Sequence, residues 1–229
     1  MKIVSLTDQG IRRKENQDNY WSALFEVDGV EAGVLCICDG MGGLNNGSLA
    51  SKMVVEAVRK HLINTFDLGK LGVVIQQVND DILKIGGTAK ETRMGTTCTI
   101  VVCANGKYHI THVGDTRVYK IHDGAMTKLT TDHSAIEKYG VTKADNFELW
   151  NKYKSMLTRC VGVKQVVIPD TYDGTYSQGD IFFVCSDGVW HYFDDNPVDL
   201  ELVIHPEKLI SACISCGETD NLTACLLFV

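Results

Sequence analysis

Apolar and polar residues alternate over positions 2–7, which predicts a first strand, and a polar stretch, 8–18, follows it. Positions 20–25 and 30–38 predict a hairpin around Asp28-Gly29, a dipeptide that accepts the positive φ angles of a tight turn. The period then changes. Ala50, Met53, Val54, Ala57, Val58, His61 and Leu62 recur at helical spacing and predict a helix with one buried face and Ser48 as its N-cap. Leu71, Val74, Ile75, Val78, Ile82 and Ile85 predict a second helix, stopped by Gly86-Gly87. Strands are predicted again at 96–103, 108–113, 117–121 and 126–129, with turns at Asn105-Gly106 and Asp123-Gly124. A mixed, polar-rich region with helical pieces occupies 132–159. Strands return at 166–172 and 180–185, a helix opens at Pro206 and runs to Cys216, and a last strand covers 222–228.

Strands joined by hairpins, with the helices grouped rather than alternating, predict an α+β fold. Both faces of several strands are apolar, so two packed antiparallel sheets with helices outside, an α-β-β-α sandwich, would cover them.

Composition narrows this picture. The chain has 229 residues, is 45% hydrophobic and contains only three prolines, with no linker-like or repeated stretch; one globular domain over residues 1–229 is expected. The net charge of −7 disfavours a nucleic-acid partner, which would want a basic stripe. The single basic cluster, Arg12-Arg13-Lys14, reads by itself as a solvated loop. No apolar run approaches the ~18–20 residues of a membrane span, and Asp8 interrupts the start too early for a signal peptide. A cytoplasmic monomer with no membrane partner is expected. Nine cysteines suggest disulfides or zinc, but most sit inside apolar strands. Cys213 and Cys216 form a CxxC without a second pair, so structural thiols are expected.

Four aspartates, Asp18, Asp39, Asp187 and Asp220, stand at the ends of apolar runs that read as strands. Carboxylates gathered at one end of a core repel one another unless a cation lies between them, and hard divalent ions such as Mg²⁺ or Mn²⁺ prefer such oxygen ligands. Asp-Gly occurs at 28, 39, 123, 173 and 187. At 28, 123 and 173 it reads as a hairpin turn. At 39 and 187 it follows a continuous apolar run, and the glycine frees the backbone to bring a carbonyl close to a ligand.

These residues carry a family resemblance. Gly10-x-x-Arg13-x-x-Asn16-Gln17-Asp18 and Asp39-Gly40-Met41-Gly42-Gly43 resemble the first two motifs of the metal-dependent Ser/Thr protein phosphatases, the type 2C or PPM family. Gly95-Thr96-Thr97, residues 112–117 (His-Val-Gly-Asp-Thr-Arg) and residues 129–134 (Leu-Thr-Thr-Asp-His-Ser) resemble the middle motifs. Residues 185–190 (Cys-Ser-Asp-Gly-Val-Trp) and Asp220-Asn221-Leu222-Thr223 resemble the last two. Each motif alone is weak; seven in order over nearly the whole chain are specific.

The resemblance implies hydrolysis of phosphoserine and phosphothreonine in proteins, opposing a Ser/Thr kinase, by a water that bridges two Mn²⁺ or Mg²⁺ ions. It implies Asp39 as the bridging ligand, completed by Asp18, Asp187, Asp220 and the Gly40 carbonyl. It also implies Asp115 as ligand to a third ion, where the residues alone read as a tight turn. Arg13, five residues before Asp18, is the candidate phosphate clamp, because a guanidinium matches phosphate oxygens bidentately. Asp132 is expected as a simple N-cap or turn residue, with a role just outside the metal ligands as the alternative. Met41 stands where many eukaryotic members have a histidine, and methionine donates no proton, which suggests a bacterial-type member. His112 and His133 read as structural. Residues 140–159, with Trp150, Lys152, Tyr153, Lys154 and Arg159, correspond to the family's flap; they read equally as a phosphopeptide grip or as a surface helix with a packed aromatic. Two other readings stay open: an inactive regulatory or binding module of the same fold, and a hydrolase of small phosphoesters.

Overall fold

The computed structural model describes residues 1–41, 46–86 and 93–229. Its strands form two five-stranded sheets, antiparallel at every pairing. In the first the order is β1 (Lys2–Asp8), β10 (Leu222–Phe228), β9 (Ile181–Cys185), β6 (Arg117–His122) and β7 (Ala125–Lys128). In the second it is β2 (Asp18–Val27), β3 (Val30–Asp39), β4 (Cys98–Ala104), β5 (Lys107–Val113) and β8 (Asp170–Thr175). Helices α1 (Gly47–Thr65) and α2 (Leu71–Gly86) cover the second sheet. Helices α5 (Asp187–Asp195) and α7 (Pro206–Ser215), with the short α6 (Leu200–Val203), cover the first. Two short helices, α3 (Ala135–Tyr139) and α4 (Phe147–Tyr153), lie in the polar-rich region.

The layers follow from the period of two along each strand. On β9, Phe182 and Val184 point between the sheets, where they meet Leu35, Ile37, Val101 and Ile110. Phe183 and Cys185 point the other way, to Val189, Trp190 and Leu209 of the helices. Both phenylalanines are fully buried, and burying each contributes about 1.5–3 kcal/mol. On β3, Leu35 and Ile37 face the sheet interface while Val34, Cys36 and Cys38 face α1 and α2. A strand covered on both sides has no polar face, hence the unbroken apolar run before Asp39.

Three of the turns form as expected. Asp28 and Gly29 have φ of 52° and 78°, Asn105 and Gly106 49° and 71°, Asp123 and Gly124 47° and 75°. Positive φ at both central residues gives the twist that joins antiparallel strands directly. All nine cysteines are free and only Cys216 is exposed, as expected for structural thiols.

Other expectations are corrected. Asp173-Gly174 is not a turn: it lies inside β8 opposite His109 and Tyr108, and a Cβ at 174 would strike the Tyr108 ring. The strand expected at 166–172 begins only at Asp170, and Val166 and Ile168 are exposed. Ser48 is inside α1, whose N-cap is Asn46 in the left-handed region. Asp187 does not end a strand but opens α5, a helix the apolar pattern did not announce. Gly87, assigned as the stop of α2, lies outside the described residues, as do Gly42 and Gly43.

Candidate metal centre and active site

Asp18 is the first residue of β2 and Asp39 the last of β3, and the hairpin register sets them opposite one another. The backbone of Asp39 is pinned by the Gly95-Thr96-Thr97 segment. Thr97 Oγ1 accepts from Asp39 N at 2.9 Å, Thr97 N donates to Asp39 O at 2.9 Å, and Thr96 Oγ1 donates to the same carbonyl at 2.8 Å. Gly40 N donates to Gln17 O at 3.1 Å. A Cβ at Gly40 would sit 2.5 Å from Gly47 O and 2.6 Å from Gln17 O, so the chain closes here only around glycine.

The other sheet supplies Asp187 and Asp220. Asp187 opens α5 directly after β9, in the first turn, where the helix dipole favours a carboxylate. The preceding Ser186 caps nothing with its side chain; its hydroxyl instead donates to Asp18 Oδ2 at 2.8 Å. Asp220 lies in the turn before β10. Asn221 Oδ1 accepts from Gln17 N at 2.9 Å, and its Nδ2 donates to Gln9 O and Glu15 O. These bonds stitch residues 9–17 onto the Asp220 turn and bring Arg13 with them. Arg13 Nη2 reaches Asp220 Oδ2 at 2.5 Å.

The ends of the two sheets thus gather carboxylates with little positive charge between them. Asp18 is 5% exposed, and burial pushes its carboxyl up to about 7 against the hydrogen bonds from Thr223 and Ser186. The Asp39 carboxyl is raised well above the usual carboxylate range, by burial and then by Asp18, Asp187, Asp115 and Asp220. Asp187 is raised by burial and by Asp220, opposed by His191 and by a hydrogen bond with Asp39. Asp115 is raised to about 8 by burial, Asp187 and Asp132.

Asp115 follows Gly114, whose φ of 114° turns the chain out of β5. Trp190 Nε1 donates to Asp115 O at 2.8 Å, the Arg117 guanidinium stacks 3.5 Å over the Trp190 ring, and Arg117 grips Asp132 through Nε at 2.9 Å and Nη2 at 2.8 Å. Asp132 is therefore neither an N-cap nor a turn residue; Ser134 caps α3, accepting from Glu137 N. His112 and His133 are structural: His112 is bound by Thr99 and the Thr131 carbonyl, and burial lowers it to about 4. His133 accepts from Gly114 N through Nδ1, and its Nε2 meets Asp170.

The donor set fits a hard divalent cation. Every group is an oxygen, the carboxyls of Asp18, Asp39, Asp115 and Asp187 are raised by burial and by one another, and one of them is incomplete: Asp18 Oδ1 is buried with no hydrogen-bond partner. Among the described residues no three His, Cys, Asp or Glu side chains already form a cage. The hydrogen bond between Asp39 and Asp187 and the ion pair between Arg13 and Asp220 occupy oxygens that a cation would need.

Sequence reasoning missed His191 and Glu218. His191 Nδ1 meets Glu218 Oε2 at 3.2 Å, and Glu218 Oε1 accepts from Thr219 N and Asp220 N. A separation of 27 in sequence leaves no spacing signal. Within residues 140–159, Trp150 stacks on Phe147 with Lys143 and Lys154 over its ring, and Lys143 is ion-paired to Asp195 of α5. Trp150 and Lys154 wall a cavity of about 240 Å³ against His191, Asp194 and Glu218. Arg159 binds Asp170 and the Ile168 carbonyl.

A family model described as protein phosphatase 2C matches residues 11–224. The serine/threonine phosphatase stp of Listeria innocua serovar 6a is 28% identical over 241 residues, covering 96% of this chain and 93% of that protein. The solved structure of the S. agalactiae serine/threonine phosphatase is 29% identical with a TM-score of 0.82, over 100% of this chain and 99% of that one. The catalytic domain of the serine/threonine protein phosphatase PstP, solved in complex with two manganese ions, is 25% identical with a TM-score of 0.76, over 98% and 96% of the two chains.

Proposed function

The chain belongs to the protein phosphatase 2C family, and from that premise we propose that residues 1–229 are one catalytic unit that hydrolyses phosphoserine and phosphothreonine in proteins with two Mn²⁺ or Mg²⁺ ions. The observation that carries this reading is the convergence of Asp18, Asp39, Asp187 and Asp220 from both sheets, with Asp18 Oδ1 buried and unpartnered. Asp39 would bridge the two ions, and Asp18, Asp187, Asp220 and the Gly40 carbonyl would complete the set, with Asp115 available to a third. When bound, such ions acidify water and stabilise charge on the attacking and leaving oxygens of an in-line displacement.

The chain's own residues prepare that step. The Thr96 and Thr97 bonds hold Asp39 in place. The Ser186 and Thr223 hydroxyls both donate to Asp18 Oδ2 and leave the buried Oδ1 without a partner. Arg13 is held beside the site by Asp220, and a phosphate dianion competes with that carboxylate for its fork. Arg13→Ala should lower kcat/KM for p-nitrophenyl phosphate about tenfold to a hundredfold, with a two-point charge-assisted contact of about 1.5–3 kcal/mol lost. Unchanged kinetics would remove Arg13 from the clamp. Met41 has no proton to give to the leaving oxygen, so in this reading water at the site or another group supplies it.

Release of inorganic phosphate from a phosphothreonine peptide tests the reading. With Mn²⁺ the protein should release it, and with EDTA it should not. Full activity in EDTA would sink the metal reading, and no release from phosphopeptides beside hydrolysis of small esters would favour the small-ester alternative. Phosphoprotein substrates imply a Ser/Thr kinase working in opposition.

A further inference from the structure

Asp187 and Asp220 come from different elements, and something must set their separation. Helix α5 touches the Asp220 turn at two points. At its first turn, Gly188 lies against the Asn221 carbonyl and Asp220 Cβ, with no room for a side chain at 188. One turn further on, His191 Nδ1 meets Glu218 Oε2 at 3.2 Å. His191 is four residues after Asp187 and so on the same face of α5.

Glu218 is itself fixed. Its N–H donates to Cys213 O and closes the C-terminus of α7, and Gly217, at φ 90°, turns the chain there. Its carboxylate then folds over the next two residues, accepting from Thr219 N at 2.6 Å and Asp220 N at 2.9 Å through Oε1. One carboxylate therefore shapes the Asp220 turn with one oxygen and holds the Asp187 helix with the other. Both side chains are about four-fifths buried, at 21% and 18% exposure, so the pair is not a solvated surface contact of negligible strength.

We propose that Glu218 and His191 form a positioning strut that sets the distance between Asp187 and Asp220 and thereby the affinity of the site for its divalent ions. This rests on the metal reading above. Neither residue needs to touch an ion or the substrate. Groups that hold metal ligands in place typically change metal affinity about 10–100-fold when removed.

The test is titration calorimetry with MnCl₂ on the purified full chain, wild type beside Glu218→Ala, Glu218→Gln and His191→Gln. The melting temperature of each is taken in EDTA. Glu218→Ala should weaken Mn²⁺ binding about 10–100-fold. Glu218→Gln keeps an oxygen for the two backbone N–H groups and should recover part of the loss. At saturating Mn²⁺ the KM for p-nitrophenyl phosphate should stay at the wild-type value in every variant. A Glu218→Ala affinity within twofold of wild type, or a lowered melting temperature with unchanged affinity, overturns the strut. If circular dichroism shows Glu218→Ala unfolded, His191→Gln carries the same threshold. A wild type that binds no Mn²⁺ overturns the metal reading itself, which separates the two failures.

Discussion

Asp39→Asn should abolish phosphatase activity while leaving the fold intact. Asp39 sits where the β2–β3 hairpin ends and where Asp18, Asp187, Asp115 and Asp220 all act on one carboxyl. Asparagine keeps the shape and one oxygen but removes the charge that would hold two cations together. If those cations contribute about 4 kcal/mol to the transition state, kcat/KM falls by roughly a thousandfold. Stability should move the other way. The crowded site favours a neutral Asp39, and asparagine stays neutral at every pH, so the melting temperature in EDTA should stay level or rise. An active Asp39→Asn protein would exclude Asp39 as the bridging ligand. An inactive one that has also unfolded would show that the residue is structural.

Mn²⁺ binding should tighten steeply between pH 6 and pH 8. Asp18 titrates at about 7 and Asp115 at about 8, and Asp39 and Asp187 are raised above the usual carboxylate range. Below those values the carboxyls hold protons that a cation must displace. Each displaced proton changes affinity by about tenfold per pH unit, so a gain of roughly ten- to a hundredfold is expected over this window. The sign for stability is consistent. A carboxyl whose folded value is raised contributes stability in full below its unfolded value and loses it as pH rises through the folded one. The metal-free protein therefore carries its repulsion at pH 8, where Mn²⁺ has most to relieve. His112 and His133, whose values are lowered, gain stability as pH rises through the ordinary histidine range. Comparing melting temperatures with and without Mn²⁺ at each pH cancels their contribution. A shift on adding Mn²⁺ that is equal at pH 6 and pH 8 would refute the coupling.

What the sequence made legible follows from how local each signal is. The hairpins at Asp28-Gly29, Asn105-Gly106 and Asp123-Gly124 were readable because their turns need positive φ and their arms are adjacent in sequence. The apolar runs before Asp39 and after Asp180 were readable because strands covered on both faces have no polar side. Strand β8 misled the pattern. Val166 and Ile168 look like strand residues but are exposed, while Asp170–Thr175, with two aspartates and a glycine, is the strand. It is an edge strand, whose outer side needs no apolar residues, and pairing with β5 fixes it. Helix α5 was hidden because Asp187-Gly188 looks like a chain break. Tertiary packing uses that same glycine to let the helix approach Asn221. Of the site, the carboxylates were legible as residues in motifs. The bonds that aim them, from Ser186, Thr223 and Glu218, join positions far apart and left no periodic trace.

Strand β1 pairs with β10 along its whole length, from Lys2 opposite Phe228 to Asp8 opposite Leu222. β1 lies at the edge of its sheet and pairs with β10 alone, so it waits for a strand far along the chain before it has a partner. Asp220 sits just ahead of that last strand, and Asn221 ties it to residues 9–17. Asp18 and Asp39 can meet early, through a hairpin closed within a short stretch of nascent chain, but the other half of the site comes only with Asp187 and Asp220. A polypeptide cut off before β10 holds at most a partial set of carboxylates. The topology thereby ties the site to synthesis through β10, and a chain stopped short of it lacks the partner of β1 and the Asp220 turn.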